Sequence, residues 1–288
     1  MIDTSPSWVQ VLLAVALIVV VPAGLRSFQW SHPRSEQMRT MAAKTARYAG
    51  VVAAGAFLVE QGTVSGVLTA PWLLVAGLVS ISALVQFLKV RSFQPIDMMR
   101  MAACAYLTFG AGWLVLSRLG IRPLDFSNAV VELTAVHFHF AGFAAPLIAA
   151  AAVSWQKARS RSVAALSTAG LGAVAAMPVI ALGTTYSTVL AAAGSVLLGV
   201  SLILVAVVTL FAIVPSMQAG IPRVLLFASS ASVLAGMLLG MQYALGQWLG
   251  TPALDIRWMA RVHGTLNALG FSLGGLLGWK LANERQQT

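Results

Sequence analysis

The chain has 288 residues, 59% of them apolar and only 9% charged, with a formal net charge of +10. Water-soluble domains carry about a quarter of their residues charged. Here the apolar stretches are too long and too many for one soluble core, so the sequence reads as an all-α polytopic membrane protein. The positive charge is not a nucleic-acid footprint, because the Lys and Arg residues sit in short segments between apolar runs, as in cytoplasmic loops of membrane proteins.

Nine apolar spans follow in chain order, at roughly 8–25, 41–60, 69–89, 98–118, 126–154, 163–183, 187–213, 223–247 and 257–279. The first is entered from MIDTSPSW, with no basic region before it and no clear cleavage site behind it, and reads as a retained helix. SHPRSE at 31–36, QGTVSG at 61–66, Gln94-Pro95 and Gly250-Thr251-Pro252 mark loops. Pro146 predicts a kink or break in the fifth span. No long polar segment and no internal repeat stand out, so 1–288 reads as a single transmembrane domain whose motif-bearing part is about 95–281. The lone Cys104 lies in an apolar run and rules out an internal disulfide or a Cys-based metal cluster.

Charge gives an expected orientation. With the N-terminus outside and nine alternating spans, 14 of the 18 Lys and Arg residues fall inside, and only Arg118, Arg122, Arg257 and Arg261 fall outside. This bias predicts an N-out, C-in protein of the bacterial cytoplasmic membrane.

In this frame the unusual polar residues gather toward the outer side. Glu60 ends the second span, and Asn128, Glu132, His137 and His139 lie on the fifth. Tyr243 ends the eighth, and Asp255, Arg261, His263 and Asn267 open the ninth. Ionisable groups inside a bilayer are costly and are functional candidates. On a regular helix Asn128, Glu132, Ala135 and His139 form one stripe, while His137 and His139 point about 200° apart. His263 and Asn267 share a face, continued by Gly270 and Gly274, which allow close helix packing. Arg257 and Arg261, four apart, want a carboxylate between them, and Glu132, Asp255 and Glu60 are available.

Plainer roles compete. An intramembrane His can simply bond a neighbouring helix, Glu132 with Arg261 can be a structural ion pair, and Arg257 can reach for the interface. Glu60 can sit among headgroups, Asp97 reads as a helix cap, and His32 as a loop residue. Trp8, Trp72, Trp248 and Trp258 fit an interfacial belt. The patterns GxxxxGK[ST], GxGxxG after a strand, HExxH and GxSxG are missing, and the acidic residues form no DxxD pair for a magnesium diphosphate site.

The segments TAVHFHFAGFAAPL and DIRWMARVHGTLNALGF resemble the YndJ-like family of bacterial membrane proteins. The matching residues are His137, Phe138, His139, Ala141, Gly142 and Phe143, then His263, Gly264, Asn267, Ala268, Gly270 and Phe271, and LGIRPLDF at 119–126 is also similar. The family is commonly labelled a transporter, so the resemblance supports the His positions without fixing a chemistry.

The first functional expectation is a membrane enzyme that isomerises or cyclises a lipophilic small molecule, such as an isoprenoid or polyketide, taken from the bilayer. Glu132, His139, His263 and His137 would be its acid–base groups, supported by Arg261, Asn267, Asn128, Asp255, Tyr243 and Glu60. No cofactor, metal or nucleic acid is expected; membrane lipid is the surrounding partner. A small-solute or ion transporter is the alternative. A metal or haem protein built on His139, His263 and Glu132 is the third reading.

Overall fold

The computed structural model describes residues 7–251 and 255–287; residues 1–6, which precede the predicted first span, and Pro252 of the predicted loop lie outside them. Among the described residues there is no strand, and nine long helices follow one another. They are α1 (Trp8–Leu25), α2 (Pro33–Gly55, closed by the 3-10 turn Ala56–Leu58), α3 (Thr63–Val90), α4 (Pro95–Leu119) and α5 (Asn128–Lys157). Then come α6 (Ala164–Tyr186), α7 (Thr188–Ser216), α8 (Ile221–Leu249) and α9 (256–287). Seven of them, all but α2 and α9, are long and apolar enough to cross a membrane. Charge sets the other two apart: α2 carries Arg34, Glu36, Arg39, Lys44 and Arg47, and α9 carries Arg257, Arg261, Lys280, Glu284 and Arg285.

Outward faces support a lipid environment. On α3, Leu74, Ile81, Leu84 and Leu88 are exposed at spacings of one helical face, while Trp72, Ala76, Val79 and Ala83 are buried. A large exposed apolar band is a liability in water and ordinary in a bilayer.

Two predicted loops are shorter than expected. Pro33 opens α2 because its missing N–H costs nothing at the first helical position. Glu36 then accepts the backbone N–H of Trp30 at 2.9 Å, and Arg39 Nε donates to Glu36 at 2.8 Å. Arg39 also donates to the carbonyl of Leu25, closing the end of α1. Burial, the largest single influence, works to raise the pKa of Glu36, which lies before the predicted span. The Arg39 and Thr40 side chains and the Trp30 N–H together outweigh it and hold the carboxyl below its ordinary 4.5. At 61–66 the loop shortens because Gly62, at φ 149°, turns the chain directly into α3.

Pro146 does not break the fifth helix. α5 continues to Lys157, and its bonding widens to a π-helical segment at Phe138–Ala144, just before the proline. A proline leaves the carbonyl one turn earlier without its usual donor, and a π-bulge is one way to absorb this. Similar segments occur at Ala16–Val20 in α1, Thr209–Ile213 in α7 and Leu266–Leu273 in α9.

The chain divides into two compact units, the first running to Phe93 and including Arg100–Ala144, the second holding Gln94–Met99 and everything from Ala145 onward. In the first, α2 packs along α1 and α3. In the second, α6 packs along α7, α7 along α8, and α8 along α9. Only Ser187 separates α6 from α7, and its hydroxyl accepts the Leu190 N–H at 3.3 Å as an N-cap. The two backbones approach so closely that a Cβ on Gly183 would stand 2.1 Å from the nitrogen of Ala191.

Candidate functional site

In the first unit a polar cluster forms at one end, where α1, α3 and α5 begin and α2 and α4 finish. Glu132, one turn into α5, is buried at 7% exposure. Its Oε1 accepts the side-chain amide N–H of Gln10 at 2.8 Å and faces the Arg118 guanidinium at 3.9 Å. The sequence explains the geometry of Gln10. Ser7 caps α1 by accepting the Gln10 N–H at 3.3 Å, and the Gln10 carbonyl oxygen accepts the Ser7 N–H at 3.1 Å. This capping box occupies the oxygen end of the amide and leaves its N–H end for Glu132.

Arg118, in the last turn of α4, is 3% exposed. It donates to Ser65 Oγ at 2.9 Å and to the carbonyl of Val59 at 2.7 Å, and it lies over the Phe57 ring. It therefore satisfies backbone at the end of α2 while facing Glu132, a placement that the helix dipole also favours. Gln61 extends the cluster, donating to Asn128 Oδ1 at 2.7 Å and to the Ser117 carbonyl at 3.0 Å.

His139 lies two turns further along α5 and is fully buried. Its Nδ1 is 2.7 Å from the carbonyl of Ala135. A carbonyl can only accept, so this nitrogen carries the proton and Nε2 is an acceptor. Nε2 receives the indole N–H of Trp72 at 3.0 Å. The ring fits because α4 offers Gly110: a Cβ there would be 2.8 Å from His139 Nδ1. Gly142, next along, has the same role toward Tyr106, whose Cβ would be 2.9 Å from a Cβ placed on it. His137 is exposed and bonds the Leu133 carbonyl of its own helix at 2.7 Å. The two imidazoles thus lie on opposite sides of α5, one buried and one not.

The second unit repeats the local device. His263 Nδ1 is 2.8 Å from the carbonyl of Gly236 and therefore donates to it. A Cβ on Gly240 would be 2.9 Å from the imidazole, and one on Gly236 would be 2.6 Å from the Asn267 amide. Asn267 donates to the His263 carbonyl at 2.8 Å, and its Oδ1 is buried without a hydrogen-bond partner among the described residues. Ser229 donates to the carbonyl of Phe271 at 2.9 Å, inside the π-helical segment. Gly270 brings α9 against Ser232, as its predicted packing role requires.

Several expected roles are refined. The cation beside Glu132 is Arg118, which charge counting had assigned to the outer surface. Arg261 lies in the second unit, is exposed, and accepts the Thr265 hydroxyl on its carbonyl. Asp255 is the N-cap of α9, accepting the Arg257 and Trp258 N–H groups at 3.1 Å each. Glu60 is exposed and Tyr243 partly exposed. Trp72 is fully buried and bonds His139, whereas Trp8, Trp248 and Trp258 are exposed. Among the described residues no group of three His, Cys, Asp or Glu side chains could hold a metal ion. Gln10, Gln61, Trp72 and Arg118 were not singled out as site residues. A lone glutamine in the apolar first turns of α1, and a tryptophan well inside α3, were the signals available.

Apolar helices long enough to span a bilayer, with a carboxylate, a guanidinium and an imidazole buried among them, define a polytopic membrane protein with a polar interior. The YndJ-like protein family matches residues 11–271, both histidine segments included, and the chain belongs to that family. The uncharacterized membrane protein YndJ of Bacillus subtilis (strain 168) is 26% identical over 183 residues, which cover 62% of this chain and 32% of that relative. The chain thus matches about a third of that relative's own length. No solved structure matches it.

Proposed function

We propose that the chain is a membrane-embedded enzyme that isomerises or cyclises a lipophilic small molecule by proton transfer. The observation that carries this is Glu132. It is a buried carboxylate on a helix of a membrane protein, with donors on both neighbours, so its oxygen is presented as an acceptor. Glu132 makes the first proton transfer in this reading. His139, whose two nitrogens are engaged, takes part only when the Trp72 indole turns aside. His263 beside the unmatched Asn267 oxygen is the second candidate carrier. The proposal keeps nine crossings in a bacterial cytoplasmic membrane, N-out and C-in, from the distribution of 14 cations against 4 among the 18 Lys and Arg residues.

A second reading is a carrier for a small solute or ion. The π-helical interruptions within α1, α5, α7 and α9 favour it, because broken helices line transport sites.

The test starts from lipophilic material that co-purifies with the protein. Isomerisation and cyclisation leave the mass unchanged, so liquid chromatography with mass spectrometry should show a compound of unchanged mass and new retention time. Glu132→Gln should leave it unconverted. Uptake of a solute into vesicles with no such conversion would favour the carrier.

A further inference from the structure

The second unit holds a feature that uses none of the candidate catalytic and supporting residues. Where α5 ends and α6 begins, beside the first turn of α4, lies a half-open cavity of about 360 Å³. Its wall is mostly apolar, with Pro95, Ile96, Val153 and Val163 in it, and Lys157 and Arg161 line it as well. The turn between the helices is held by two backbone bonds, Ser160 N–H to the Lys157 carbonyl and Arg161 N–H to the Gln156 carbonyl, each 3.1 Å. Lys157 donates to the Gln94 side-chain oxygen and Arg161 to the Ala212 carbonyl, each at 3.1 Å, and both acceptors are neutral. No Asp or Glu among the described residues lines the cavity. Arg159, on the same turn, stacks on Trp155 with its guanidinium carbon 3.5 Å from the ring centre.

We propose that this cavity binds one anionic glycerophospholipid, with its phosphate between Lys157 and Arg161 and the start of an acyl chain along the apolar wall. Charge complementarity selects the occupant. Two cations on a fixed turn, with no carboxylate lining the site, favour an anionic headgroup over a zwitterionic one. The apolar wall has no use for a free phosphate. The position at the ends of apolar helices is headgroup depth. The volume lies near the lower end of the range of about 300–1,000 Å³ typical of small-molecule sites, so it takes a headgroup and the first methylenes and leaves the rest of the lipid in the bilayer.

The test titrates the purified full chain in detergent with phosphatidylglycerol, phosphatidylcholine or inorganic phosphate, read by thermal unfolding and native mass spectrometry. Phosphatidylglycerol should bind at least about tenfold more tightly than phosphatidylcholine, and phosphate alone should give no shift. The double variant Lys157→Gln/Arg161→Gln should lose this preference. Ile96→Trp, which fills the apolar half, should weaken both lipids with the cations intact. Equal binding of the two lipids by the wild-type chain would overturn the proposal, as would a phosphate shift equal to that of phosphatidylglycerol. Both outcomes are read on the wild type, whatever the variants do.

Discussion

Trp72 donates its indole N–H to Nε2 of His139 at 3.0 Å, and the two rings stack with centroids 5.9 Å apart. With Nδ1 bonded to Ala135, this contact completes the hydrogen bonding of a fully buried imidazole. Burying a ring nitrogen without a partner is expensive, so the indole stabilises the packing of α3 on α5 and also controls access to Nε2. Trp72→Phe keeps an aromatic ring and deletes the donor. It should lower stability by about 1–3 kcal/mol, read as a lower unfolding temperature in detergent. An unchanged temperature would mean that Nε2 has another donor at hand.

The two histidines of α5 should separate cleanly. His139→Ala removes a buried ring packed against Gly110 and Trp72 and should cost both stability and activity. His137→Ala removes an exposed ring that bonds only its own helix and should leave folding within about 0.5 kcal/mol of wild type. Comparable losses of folded protein in both variants would contradict the burial pattern of the helix.

Arg118 and Glu132 form a buried charge pair in the first unit. Arg118→Met leaves the carboxylate without its cation and should destabilise by about 3–5 kcal/mol. Adding Glu132→Gln should recover part of the loss, giving a coupling of about 0.5–3 kcal/mol in a double-mutant cycle of unfolding free energies. Strict additivity would show that the two groups do not sense each other at 3.9 Å.

Glu36 supplies a pH dependence. Its folded-state pKa lies below the ordinary 4.5, so its contribution is present above that value and is lost as pH falls through the lower folded-state value. Thermal unfolding temperature should therefore drop on acidification below about pH 4.5, and Glu36→Gln should flatten that part of the profile. An identical acid limb in the variant would remove Glu36 as its source.

Much of the fold was legible in hydropathy, because a helix must satisfy its own backbone in lipid and needs a long apolar run to do so. α1, α4 and α7 begin and end within about three residues of the predicted spans. The start of α2 was hidden because Pro33, Arg34 and Glu36 look like loop residues, and the first helical turn accepts them. The stripe from Glu132 to His139 was also legible, since helical spacing alone separates His139 from His137. The partners of that stripe were not. Arg118 is distant in sequence and resembles an end-of-span anchor until the fold carries it to Ser65, Val59 and Glu132. Trp72 resembles an interfacial tryptophan until α3 turns it against His139. Such pairings depend on helix rotation, which packing sets and local sequence does not.

The most direct measurement is solvent-proton transfer by Glu132. The purified protein, with its co-purified lipophilic material, is incubated in D₂O, and the lipophilic fraction is analysed by mass spectrometry. The account predicts a product one mass unit heavier at a carbon position with the wild type, and no such product with Glu132→Gln, which should remain folded. Deuterium incorporation at an equal rate in the Glu132→Gln protein, or none with the wild type, would contradict it.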